Sequence, residues 1–97
     1  MNIKILPVAK EDLLNGYDFY EQQEEGVGSY FLTSLFSDID SLLIYQGIHP
    51  VYFDQYYRML SRRFPFAIYY CIEKEEIVVY AVLDCRNDPA WLKGRFD

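Results

Sequence analysis

No stretch of this 97-residue chain approaches the roughly 18 consecutive apolar residues that a membrane-crossing helix needs. The apolar run in MNIKILPVAKED is also too short for a signal-peptide core. Both absences predict a cytoplasmic protein with no membrane attachment. Cysteine is scarce: Cys71 and Cys85 are the only two, and with one histidine they form neither a disulfide framework nor a Cys/His metal cluster. Two plain thiols, buried or half-buried, are expected. Basic charge is scarce as well, with nine basic against fifteen acidic side chains and a net charge of −6. Nonspecific grip on nucleic acid draws its affinity from Lys and Arg, so any nucleic-acid role has to be local. A Gly-rich phosphate loop, a nucleophile elbow, zinc-ligand spacing and a kinase signature are all missing, so no cofactor and no metal is predicted.

What is present is apolar and aromatic. At 52% hydrophobic and 19% aromatic the chain has ample surface to bury against its ordering entropy, and its length allows one core, hence one domain over residues 1–97. Residues 3–8 form a short run ended by Pro7, which predicts a peripheral edge strand. From residue 9 to about 25 the period becomes helical, with Leu13, Tyr17 and Tyr20 on one face. Gly26 and Gly28 interrupt, Ser29 is a candidate cap, and a second helix follows over about 27–45 with Phe31, Leu35, Ile39, Leu42 and Leu43 at helical spacing. Beyond Gly47 and Pro50 the period falls to two over 51–58, predicting a second, amphipathic strand. Two further strands, 64–73 and 77–84, are joined by Lys74-Glu75-Glu76. The residue pattern is therefore an α+β fold: an N-terminal strand, a two-helix hairpin, then a three-stranded antiparallel meander.

The last two strands are apolar on both sides, whereas two helices cover only one face of such a sheet. Either a partner covers the other face, or Trp91 and Phe96 of the polar tail fold back onto it.

Arg58, Arg62 and Arg63 lie close together, and Arg86 ends the last strand. If the strands are neighbours these guanidiniums converge at one end of the sheet and suit an acidic peptide or a phosphate. The plainer expectation for Arg58 and Arg62 is pairing with carboxylates such as Asp54. His49, the one imidazole, has no patterned partner and reads as a loop residue before Pro50. Asp84 and Asp88 flank Cys85 and Arg86; Asn87-Asp88-Pro89 reads as turn chemistry rather than as an acid/base pair. Tyr69 and Tyr80 invite a base-stacking reading, which net acidity opposes.

Within residues 62–91, Arg63-Phe64-Pro65-Phe66, an aromatic strand Ala67-Ile68-Tyr69-Tyr70, an acidic hairpin, Ile77-Val78-Val79, and Arg86-Asn87-Asp88-Pro89 occur in that order. This succession resembles the C-terminal half of RelE/ParE-type toxins of bacterial type II toxin–antitoxin modules. The helical region from Tyr17 to Phe31 is similar as well, so the resemblance spans nearly the whole chain. It implies a RelE/ParE-like toxin bound by a cognate antitoxin along apolar surface, with Tyr69, Tyr80, Val82 and Trp91 as candidate contacts. It also implies target contact through basic residues, with Arg63, Arg86 and Arg62 as candidates. Asp84 stands where the family often has histidine, and no tyrosine follows Trp91. Two groups usual in the RNA-cleaving members are thus missing, no catalytic residue is assigned, and the resemblance implies the ParE-like branch, which inhibits DNA gyrase. The alternatives are a RelE-like ribosome-dependent mRNA endonuclease, with Arg63 and Arg86 stabilising the transition state, and a non-toxic interaction module. The composition is also compatible with a homodimer.

Overall fold

Pro7 opens a helix rather than closing a strand. In the computed structural model, which describes residues 1–97, β1 is only Asn2–Ile5 and α1 runs Pro7–Gln23. Proline suits this first helical position because its φ is already helical and its missing N–H would have had no intrahelical partner. α1 and α2 (Val27–Asp40) are joined by a turn in which Gly26 takes a φ of 90°. Gly26 has no side chain to cap α2, and Ser29 lies inside the helix. The Glu21 carboxylate does the capping instead, accepting from Gly26 N at 3.1 Å and Gly28 N at 2.9 Å. The two helices touch where Gly16 leaves room for Phe31, whose ring a Cβ would overlap.

The single second helix expected over 27–45 is two: α2 stops at Asp40, and α3 is Leu42–Tyr45. The Ser41 hydroxyl takes the Asp38 carbonyl at 2.6 Å, and the Asp38 carboxylate is drawn sideways to the Ser61 hydroxyl, also at 2.6 Å. Asp38, a charge inside an amphipathic helix, is buried. The single amphipathic strand expected over 51–58 is likewise two: β2 (Val51–Tyr52) and β3 (Tyr56–Leu60) form a tight hairpin. Phe53 and Asp54 turn it in left-handed conformations, φ 54° and 66°, that the alternating pattern does not announce.

β4 (Phe66–Glu73) and β5 (Glu76–Asp84) complete a five-stranded sheet of order β1-β5-β4-β3-β2. The meander β3-β4-β5 is antiparallel as expected, while β1 adds a parallel edge that pairs only with Glu76 to Val79 of β5. α1 and α2 bury one sheet face, where Leu13, Phe31, Leu35 and Ile39 meet Ile68, Tyr70 and Val79.

The opposite face, built on Tyr56, Ala67, Tyr69, Ala81 and Leu83, is covered by the chain itself. After Asp84 a short helix α4 (Pro89–Gly94) is capped by the Asp88 carboxylate on Ala90 N, 2.7 Å. Beyond it Phe96 packs on Phe53, Tyr56 and Tyr69 at ring separations of 4.9, 4.6 and 4.8 Å. Leu92 packs against the same cluster, while Trp91 remains half exposed. Of the two readings left open for this face, the chain realises fold-back, through Leu92 and Phe96 rather than Trp91.

Candidate functional site

The end of the sheet at which β5 finishes gathers two of the three predicted target-binding arginines. Cys85 N donates to the Pro65 carbonyl at 2.8 Å, which clamps the β3–β4 loop carrying Arg63 against the end of β5 carrying Arg86. Arg86 forks onto Asp84, with Nε 3.0 Å from Oδ1 and Nη2 2.6 Å from Oδ2, and its backbone N–H bonds the same carboxylate at 2.8 Å. These donated bonds hold the Asp84 carboxyl below the usual carboxylate range, and Asp84 in turn raises Arg86. Tyr20 lies at this cluster too; burial raises its phenol and Arg86 partly offsets the rise. The Arg86 side chain is still 60% exposed. Asp84 therefore occupies the Nε–Nη2 edge and fixes the guanidinium at the surface with Nη1 left unpaired, and the exposed pair adds little to stability. Arg63 is exposed and has no carboxylate within ion-pair distance.

Arg62 is diverted elsewhere. Its backbone N–H bonds Asp38 at 3.4 Å, and it lines a groove of about 270 Å³ with Asp38, Ser41, Tyr45 and His49. His49 is no free loop residue. The Tyr70 hydroxyl accepts from Gly47 N at 3.0 Å and is hydrogen-bonded to His49 Nδ1, 2.5 Å away. Burial pushes His49 below its ordinary value, which favours the neutral ring.

A larger groove, about 370 Å³, runs between α1 and α4 beside the open half of β5. Because β1 stops pairing at Val79, Val82 N has no neighbouring strand, and the buried Asp12 carboxylate of α1 accepts from it at 3.1 Å. Arg95 closes over Asp12 with two bonds, 2.9 and 3.0 Å. Phe19 and Trp91, each about half exposed, lie in the wall of this groove. Sequence reasoning missed Asp12 and Arg95, since a lone helix carboxylate and a tail arginine carry no local mark of a partner so distant in the chain.

The predicted antitoxin contacts divide. Tyr69 and Val82 are buried by this chain's own residues, Tyr69 under Phe96 and Val82 in the helix-side core, so neither presents surface; two-sided apolar strands were read as exposure. Tyr80 is partly exposed and donates to Glu73 at 2.7 Å, which pushes its phenol up to about 12. Trp91 keeps an open face. Arg58, expected to pair with Asp54, instead reaches the Tyr69 hydroxyl at 3.3 Å, the Tyr52 hydroxyl at 3.4 Å and Cys85 Sγ at 3.5 Å.

No family model and no curated relative matches the chain. Among solved structures, it is similar to a chain of the chromosomal ParDE TA system from P. aeruginosa, with a TM-score of 0.78 and 20% identity over 84% of this chain and 92% of that one. No helix of the protein is long and apolar enough to cross a membrane. At this identity the likeness is one of architecture, and the chain has the α+β, ParE-like fold that its sequence resembles.

Proposed function

We propose that this chain is the toxin of a type II toxin–antitoxin module, acting in the cytoplasm as a ParE-like inhibitor of DNA gyrase and neutralised by a cognate antitoxin. The observation that carries this reading is the fold shared with a chain of a ParDE TA system over 84% of the residues. The exposed Arg86, held in place by Asp84, and the unpaired Arg63 at one sheet end support target contact there. Trp91 and Tyr80 remain as antitoxin contacts, since they are the members of the predicted set that still reach the surface. The half-exposed Phe19 and Trp91 give the antitoxin apolar surface in the α1–α4 groove.

The test is tightly controlled expression of the chain alone beside Arg86→Ala, following growth and plasmid supercoiling. Growth arrest with relaxed plasmid, relieved by Arg86→Ala, is the expected outcome. The substitution leaves the fold intact, because an exposed ion pair of this kind contributes about 0–1 kcal/mol. Arrest with cleaved transcripts and unchanged supercoiling would move the assignment to an mRNA endonuclease. Unimpaired growth with folded protein would leave a non-toxic interaction module.

A further inference from the structure

Of the nine basic residues, only Arg58 and Arg95 are partly withdrawn from solvent, and of these two only Arg95 has a carboxylate partner. Removing a guanidinium from water without a counter-ion is costly, and this chain has fifteen acidic side chains to spend on it. None is within ion-pair reach of Arg58, and Asp54, four residues earlier in the chain, stays exposed in the β2–β3 turn.

The partners Arg58 does have are of one kind. Across the β3–β4 ladder it faces Tyr69, to whose hydroxyl Nε donates at 3.3 Å. Its carbon lies 4.7 Å from the centroid of the Tyr52 ring, which holds the guanidinium plane, while Nη1 donates to the Tyr52 hydroxyl at 3.4 Å. The third contact, Nη2 to Cys85 Sγ, is 3.5 Å. The three acceptors are two hydroxyls and a sulfur, none of them a carboxylate, and both hydroxyls accept from Arg58 while making no donated bond of their own. The cluster therefore has no carboxylate to balance the guanidinium. Tyr52 is 39% exposed, which leaves the cluster open to solvent on that side.

We propose that Arg58, with the Tyr52 hydroxyl beside it, forms a binding site for a single oxyanion, a phosphate or carboxylate group. Nη1 and Nη2 each carry a second N–H beyond those given to Tyr52 and Cys85, and this pair matches two oxygens of such a group, while the partly exposed Tyr52 hydroxyl supplies a further bond. The site lies on the sheet face opposite the helices and is independent of the toxin reading, so a growth assay and a binding assay fail separately.

The test is a titration of the isotope-labelled protein with inorganic phosphate and, in parallel, with acetate, followed by NMR at the Arg58 Nε–H and the amides of residues 52 and 69. Saturable shifts with either anion are expected, and the two arms tell phosphate from carboxylate preference. Affinity falls about tenfold or more in Arg58→Ala, as loss of a charge-assisted bond requires. It falls less in Tyr52→Phe, where a partly exposed hydroxyl is removed without disturbing the core. Absence of saturation with both anions would overturn the proposal. So would unchanged affinity in Arg58→Ala, or in Tyr52→Phe should the first variant not fold.

Discussion

Individual polar side chains in this protein act far from where they stand in the sequence. Asp12 completes the edge of a strand 70 positions away, Asp38 is held by Ser61, and His49 is held by Tyr70. Burial keeps His49 below its ordinary value of 6.5, so its neutral form is the one the fold favours. The unfolded chain then takes up this proton more readily than the folded one. The stability contributed is complete above pH 6.5 and is lost as pH falls from there through the lower folded value. Urea-unfolding midpoints should therefore fall between pH 7.5 and pH 5.5 in the parent protein, and by a smaller amount in His49→Gln. Asp84 titrates in a separate, more acid window, since Arg86 holds it below its ordinary 3.8. Equal declines in both proteins would remove His49 from the account.

Among the elements, the helical hairpin depends on Gly16 because the ring of Phe31 occupies the space of its missing side chain. Gly16→Ala adds helix propensity to α1 but forces the helices apart, and overpacking of this kind costs about 1–3 kcal/mol. Chemical denaturation should register that net loss, whereas the gain usual for Gly→Ala within a helix would show that Phe31 yields. The hairpin, β4 and β5 were legible in the sequence because their periodicities run long and are punctuated by Gly26, Gly47 and Lys74-Glu75-Glu76. The β2–β3 hairpin was not, because Phe53 and Asp54 turn left-handed without glycine and the alternation of 51–58 continues through them. The α2–α3 break was hidden for a different reason. The contact beside it, the Ser61 hydroxyl on the Asp38 carboxylate, joins residues far apart in the chain. The candidate site was half legible: the convergence of Arg63 and Arg86 followed from strand order, but the anion-poor surroundings of Arg58 depend on where Asp54 ends up.

Across the whole molecule, the sheet has two apolar faces and two kinds of cover, helices on one side and the segment around α4 on the other. Phe96 is the centre of the second cover, touching three aromatic rings. Phe96→Ala should lower stability by about 2–3 kcal/mol, less than full burial of a phenylalanine implies because the ring is only partly enclosed. It should also increase binding of a hydrophobic dye; unchanged dye binding would mean that the remaining segment still closes the face. One consequence concerns the order of assembly. β1 pairs in parallel with Glu76 to Val79, so it has no ladder partner until the intervening helices and the β2–β4 region have been made. The α1–α2 hairpin and the β4–β5 hairpin are local and close quickly, whereas docking β1 means closing a long loop. On the ribosome, then, residues 2–5 stay strand-prone and unpaired, and the sheet acquires this edge strand only after β5 has emerged.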